Sequence, residues 1–211
     1  MQQYKLIVFD FDDTLIHLDV DWSEVKNDIL KIASREKIFA DKTKHLIILG
    51  NMISKSSAIK NEVDGVYRKR EKAAVDRKGF RPFPHMIALV KELHQKGYRL
   101  AIASGNHSSN LRAVLARLGI LPLFDVVCGR DMIWNNKPAS DQLLFIMQRA
   151  GFDKGETLFV GDSKYDEESA ESAGVGFFQT EKPASESDAK KLTGMLLGGL
   201  PGDSGKISEH P

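Results

Sequence analysis

The stretch Leu6-Ile7-Val8-Phe9-Asp10-Phe11-Asp12-Asp13-Thr14 decides the fold of this chain. Its first four residues are apolar, which predicts a strand buried on both faces of a parallel sheet. Asp10 and Asp12 follow directly, and a carboxylate at the end of a buried strand is costly unless a cation pairs with it. Alternate residues of a strand point the same way, so both side chains start on one face. We therefore expect a central strand that delivers two carboxylates to the sheet edge where open α/β folds bind ligands.

The composition narrows the class of protein. The chain has 211 residues, of which 42% are hydrophobic, enough for one core domain with an insertion. Lys plus Arg number 30 against 29 Asp plus Glu, so we expect no broad electrostatic binding to nucleic acid. The single cysteine, Cys128, excludes an internal disulfide and predicts a reducing compartment. The sequence shows no secretory leader and no apolar run of membrane-spanning length, so we predict a soluble, cytoplasmic protein without a membrane partner.

Apolar strands alternate with helical patterns in the second half of the chain. The predicted strands are Leu100–Ala103, Phe124–Cys128, Thr157–Val160 and Gly174–Phe178. Such alternation implies parallel pairing with right-handed crossovers. We therefore predict an α/β fold with a doubly wound, Rossmann-like parallel sheet as its core.

The segment between the first strand and this alternation has a different pattern. Val25, Ile29 and Ile32 form a helical stripe that either Asp21 or Ser23 would cap, and further apolar stripes follow, which predicts an inserted small α-helical cap domain. The predicted division is residues 1–15 and 81–180 for the core, 16–80 for the cap, and 181–211 for a C-terminal extension. In that extension we expect one short helix near residues 187–197 and then a disordered tail.

Polar residues follow the ends of the predicted strands. Ser104 follows the second strand, Asp162 follows the fourth, Asp166 lies one helical turn later, and Lys137 precedes a helix. In a doubly wound sheet these positions meet at one edge, beside the two aspartates of the first strand. Each has an ordinary alternative: Asp166 as a helix brace, Lys137 as a surface lysine, and Ser104 as a turn residue.

The charges of this group predict a metal ion. At an effective dielectric near 20, two carboxylates about 4 Å apart repel by about 4 kcal/mol, so four of them beside one lysine must shift their pKa values or bind a cation. Oxygen ligands favour a hard ion, and Mg²⁺ over Ca²⁺ beside a phosphate. The histidines show no ligand spacing, and we assign none of them to a metal.

The motifs, in this order, resemble the haloacid dehalogenase superfamily, in its phosphoglycolate phosphatase-like branch with a helical C1-type cap. Asp10-Phe11-Asp12-Asp13-Thr14 is similar to the first motif of that family, Asp-x-Asp-x-Thr. Ser104 matches the second motif, Lys137 the third, and Gly161-Asp162-Ser163-Lys164-Tyr165-Asp166 the fourth, Gly-Asp-x-x-x-Asp. The resemblance covers residues 4–180.

This resemblance implies an Mg²⁺-dependent phosphatase that hydrolyses a small phosphomonoester metabolite through an aspartyl-phosphate intermediate. It implies Asp10 as the nucleophile and Asp12 as the general acid and base. The implied metal ligands are Asp10, the main-chain carbonyl of Asp12, and Asp162; the implied phosphate-binding residues are Ser104, Gly105 and Lys137; Thr14 and Asp166 would support them. Two positions depart from the family pattern: Asp13 stands where Gly is frequent, and Gly105 rather than Asn follows Ser104.

Two other functions stay open at this point. A phosphosugar mutase would use the same scaffold, and a non-catalytic binding protein would keep the fold without the reaction. The basic stretch 68–81 predicts either a solvated helix face or a surface that steers an anionic substrate. The sequence identifies neither the phosphomonoester nor the oligomeric state.

Overall fold

The computed structural model describes residues 4–198 and the backbone of 207–208. The strands are β1 (Leu6–Phe9), β2 (Ile16–Leu18), β3 (Phe80–Pro82), β4 (Arg99–Ala103), β5 (Val126–Cys128), β6 (Thr157–Gly161), β7 (Gly176–Gln179) and β8 (Ile207–Ser208). The α-helices are α1 (Trp22–Arg35), α2 (Leu46–Ile53), α3 (Ser57–Asp76), α4 (Pro84–Gln95), α5 (Ser108–Arg117), α6 (Asp141–Ala150), α7 (Lys164–Ala173) and α8 (Glu186–Leu197).

The central element is β1, as the sequence predicts. The main sheet has the order β5-β4-β1-β6-β7-β8, in which the first five strands run parallel. The chain fills one side of β1 with β4 and β5, and then crosses to β6 and β7 on the other side. The border between β1 and β6 is therefore a topological switch point, where doubly wound sheets bind their ligands. The predicted Rossmann-like α/β fold is confirmed.

The side chains of β1 alternate between two hydrophobic cores. Ile7 and Phe9 pack in the core with residues of α4, α5 and α8, whereas Leu6 and Val8 pack in the core with residues of α6 and α7. All four side chains are fully buried. This two-faced burial explains why the strand has an unbroken apolar run instead of alternating apolar and polar residues.

The helices α1, α2 and α3 share a third hydrophobic core of their own, which includes Val25, Ile29, Leu49 and Val63. The Asp21 side chain accepts hydrogen bonds from the Ser23 and Glu24 amides, so Asp21 is the cap of α1 among the two that the sequence offers. Two segments connect these helices to the main sheet, and they pair with each other as the antiparallel ribbon β2–β3. The sequence does not predict this ribbon, since three-residue strands show too little periodicity to recognise.

The C-terminal extension begins with the predicted helix, which is α8. Ile207 and Ser208 pair antiparallel with β7, within the stretch for which the sequence predicts a disordered tail. The rest of that stretch, 199–206 and 209–211, lies outside the described residues, as do residues 1–3. Among the described helices, none has both the length and the apolar character needed to cross a bilayer.

Candidate active site

Three carboxylates from separate parts of the chain meet at the switch point. Asp10 follows β1, Asp162 follows β6, and Asp166 lies in the first turn of α7; each offers one oxygen within 4.8 Å of the others. Gly161 permits this approach, because a Cβ atom there would lie 2.7 Å from the Asp166 side chain. Burial raises the pKa of Asp10, against the lowering effect of Lys137. Burial also raises the pKa of Asp162.

Lys137 is the buried cation of this group. Its Nζ lies 2.7 Å from Asp10 Oδ1 and 2.5 Å from Asp166 Oδ1. Burial alone would lower the pKa of Lys137, but the two carboxylates outweigh burial and raise it, so the ammonium stays charged. The other carboxylate oxygen of Asp166 accepts hydrogen bonds from the Ser163 amide and hydroxyl. Asp166 therefore caps its helix with one carboxylate oxygen and binds Lys137 with the other. Its role as a helix brace and its role in the site are compatible.

Asp12 is set apart from this cluster. Its carboxylate accepts a hydrogen bond of 2.7 Å from the Leu18 amide and groups with Asp13 and His17. Burial raises the pKa of Asp12 to about 7, so the protonated form is populated near neutral pH. Asp13 has φ +60°, in the left-handed region that glycine adopts without strain and that aspartate tolerates.

The loop after β4 lies next to Lys137. Gly105 and Lys137 both line a cavity of about 60 Å³, which Asn51 of α2 and Tyr67 of α3 border from the other side. Ser104 is buried, and its hydroxyl accepts a hydrogen bond of 3.2 Å from an amide of its own loop. The structure thus brings Gly105 and Lys137 to one cavity and places Ser104 directly behind it.

A wider vestibule of about 400 Å³ adjoins this cavity and shares Asn51 and Lys60 with it. Trp134 forms one wall, with half of its surface exposed, and the Lys60 ammonium lies 5.5 Å from the centre of its ring. One side of the vestibule comes from α2 and α3 and the other from the segment 134–139. The vestibule therefore adjoins the cavity that Lys137 lines.

The basic stretch 68–81 lies mostly on the exposed side of α3 and the turn after it. Its lysines and arginines are exposed, except Arg70, which is half-buried and forms ion pairs with Glu24 and Asp28 of α1. This arrangement fits the solvated helix face that the sequence offers as one of two alternatives.

Sequence reasoning missed Lys182, which lies in the C-terminal extension beyond the four motifs. Its Nζ is 2.8 Å from Asp162 Oδ2 and 3.3 Å from Asp13 Oδ2. The sequence feature that could have indicated Lys182 is the additional negative charge of Asp13, which needs a nearby cation. Sequence reasoning also missed Glu71 and Arg130, a buried ion pair behind the loop that contains Gly105. No short-range pattern marks that pair.

The carboxylate group suits a divalent cation. Asp10 and Asp162 are both largely buried, and burial raises the pKa of each although a lysine pairs with it. Oxygen donors of this kind bind hard divalent ions. The residues present therefore fit a hard divalent metal ion.

Comparison with known proteins agrees with this geometry. Residues 7–180 match the sequence profile of the family described as haloacid dehalogenase-like hydrolase. A phosphoglycolate phosphatase of Aliivibrio fischeri is 26% identical over 190 residues, which are 84% of this chain and 84% of that protein.

Two solved structures share the fold. A putative phosphoglycolate phosphatase from Lactobacillus plantarum has a TM-score of 0.62 at 22% identity, over 84% of this chain and 86% of that chain. CbbY from Rhodobacter sphaeroides, in complex with phosphate, has a TM-score of 0.61 at 18% identity, with the same coverage of both chains. Because the family profile spans most of the sequence, this chain belongs to the haloacid dehalogenase-like hydrolase family.

Proposed function

We propose that this phosphatase-class hydrolase cleaves a small phosphomonoester by forming an aspartyl-phosphate on Asp10. The observation that carries the proposal is the buried ion-pair group of Asp10, Lys137 and Asp166, whose lysine also lines the cavity that α2 and α3 border. The phosphoglycolate phosphatases among the relatives make phosphoglycolate the first compound to test. The buried free thiol of Cys128 supports a reducing compartment such as the cytoplasm.

Asp10 is suited to the nucleophilic step. Lys137 binds its Oδ1, and its Oδ2 accepts no hydrogen bond from the described residues, so Oδ2 is available to attack phosphorus. Asp12 then gives its proton to the leaving alkoxide and later takes one from the water that hydrolyses the acyl-phosphate. Its pKa of about 7 suits both directions of transfer. Lys137, Ser104 and the Gly105 amide would bind the phosphoryl oxygens.

Asp10, the main-chain carbonyl of Asp12, and Asp162 would hold Mg²⁺. When bound, the ion offsets the charge of the phosphoryl group and orients it for in-line attack. Thr14 supports this set, because its hydroxyl lies 3.4 Å from Asp162 Oδ1. Asp166 supports it by holding Lys137 in place.

The test is p-nitrophenyl phosphate turnover with Mg²⁺ and with EDTA, for the wild type and for Asp10→Asn. We expect EDTA to abolish turnover and Asp10→Asn to lower it by at least about 10³-fold, as expected for loss of a nucleophile. Asp19→Asn is the control, since Asp19 is exposed and its carboxylate pairs with Arg77. Acid-quenched wild type should show one phosphoryl group on the peptide that contains Asp10. Undiminished activity of Asp10→Asn would exclude Asp10 as the nucleophile.

Product analysis separates this proposal from the two alternatives. Release of free phosphate supports the phosphatase, whereas an isomerised sugar phosphate would indicate a mutase on the same scaffold. Failure to turn over any compound of a broad phosphometabolite panel with Mg²⁺ would leave a binding protein as the remaining function.

A further inference from the structure

A buried ion pair connects the cap helix α3 to the phosphate loop, which we define as residues 104–107. Glu71 of α3 is fully buried, and Arg130, just after β5, is 5% exposed. Arg130 Nη1 donates a hydrogen bond of 2.5 Å to Glu71 Oε1. Neither residue belongs to the reacting groups described above.

The ion pair holds two consecutive peptide groups of the phosphate loop. The Gly105 carbonyl accepts a hydrogen bond of 2.7 Å from Arg130 Nη1, and the amide of the same peptide group donates to the Ser104 hydroxyl at 3.2 Å. In the next peptide group, the Asn106 carbonyl accepts from the Arg130 amide at 3.1 Å, and the His107 amide donates to the Glu71 carboxylate at 3.0 Å. Both groups are thus held at both ends, and the Ser104 hydroxyl is oriented with them.

The same guanidinium contacts α3 over two helical turns. Asp64 Oδ1 lies 2.7 Å from Arg130 Nε as an ion pair, although the N–H is not directed at that oxygen. The Asp64 carbonyl accepts a hydrogen bond of 3.3 Å from Arg130 Nη2, and the Tyr67 ring centre lies 4.7 Å from the guanidinium carbon. If α3 moved off the core, Glu71 would become a buried or newly hydrated carboxylate without its partner. Such a state is disfavoured. The packing of α3 against the core is therefore coupled to the conformation of the phosphate loop.

We propose that Glu71 and Arg130 are positioning residues that keep the phosphate loop in its binding geometry while α3 is seated on the core. This inference rests on the proposed function, in which Ser104 and Gly105 bind the phosphoryl group. Because coupling between two equilibria is reciprocal, phosphate binding in turn stabilises the seated position of α3.

The first experiment measures binding of inorganic phosphate by calorimetry in the presence of Mg²⁺. We expect Glu71→Gln and Arg130→Lys each to weaken phosphate binding by about tenfold, and the double variant to bind within about twofold of the weaker single variant, because both act through one contact. Arg70→Gln is the matched control. Arg70 neighbours Glu71 on α3 and forms ion pairs with α1, and it does not touch the loop. It should stay within about twofold of the wild type.

The second experiment measures amide hydrogen exchange in α3 with and without phosphate. In the wild type, phosphate should slow exchange across residues 64–76, and Glu71→Gln should lose this effect. A lowered melting temperature with unchanged phosphate affinity in the folded variants would overturn the proposal and leave a purely structural ion pair. Equal weakening in Arg70→Gln would overturn it as well. If Glu71→Gln does not fold, Arg130→Lys decides by the same two measurements. A wild type that binds no phosphate would refute the proposed function itself.

Discussion

Replacing Lys137 with methionine should leave Asp10 and Asp166 as a buried carboxylate pair without a cation. The Lys137 side chain is 5% exposed and the Asp166 side chain 1%, so water cannot replace the lost ammonium without rearrangement. Methionine fills a similar volume, and the change therefore removes mainly the charge. We expect a large loss of stability that originates in electrostatics rather than in packing.

The magnitude follows from burial. Removing one partner of a buried ion pair costs about 3–5 kcal/mol. For a chain of this size each kcal/mol lowers the melting temperature by about 2–4 °C, so we expect a decrease on the order of 10 °C. The pKa of Lys137 is raised above its ordinary value of 10.5, so the stabilisation by this lysine is fully present below pH 10.5 and is lost as the pH rises through the folded-state pKa. A measurement at pH 7 therefore captures all of it.

The assay is urea unfolding at pH 7 in EDTA, so that no divalent ion replaces the lysine charge. Lys72→Met is the control, because Lys72 pairs with Asp76 at an exposed surface, where such pairs contribute less than about 1 kcal/mol. In Lys137→Met, Asp10 binds a proton more readily in the folded than in the unfolded state. The decrease in the free energy of unfolding should therefore become smaller from pH 8 toward pH 5. A loss below about 1 kcal/mol, or one that grows toward low pH, would refute the electrostatic account.

Four further predictions concern other positions. Lys182→Met should tighten Mg²⁺ binding by about fivefold in calorimetry, because it removes a partly exposed cation 2.8 Å from Asp162. Burial raises the pKa of the Cys128 thiol to about 12, so the native protein should resist an aromatic disulfide reagent at pH 8 and react with it after unfolding in urea. Gly65→Ala should raise the unfolding free energy by about 0.5–1 kcal/mol, since Gly65 is an exposed mid-helix glycine with open space for a Cβ atom. Gly129→Ala should lower the unfolding free energy by about 1–3 kcal/mol, because its Cβ would lie 2.4 Å from a backbone nitrogen.

Much of the fold and part of the site were predictable from local pattern. The apolar run of β1 and the alternation of strands and helices predicted the parallel sheet, since buried strands and amphipathic helices leave periodic signals in sequence. Polar residues at strand ends predicted that Asp10, Lys137, Asp162 and Asp166 would meet. Their convergence follows from the geometry of a parallel sheet, in which all carboxyl ends lie at one edge.

Only the tertiary structure decided which charges pair with one another. Glu71 and Arg130 are 59 positions apart, and Lys182 lies 20 positions from Asp162. Ion-pair partners that lie so far apart in sequence meet only because α3 packs on the core and the C-terminal segment runs back to the sheet. Sequence periodicity describes which face of an element is buried. The packing of whole elements against one another determines what each buried charge meets there.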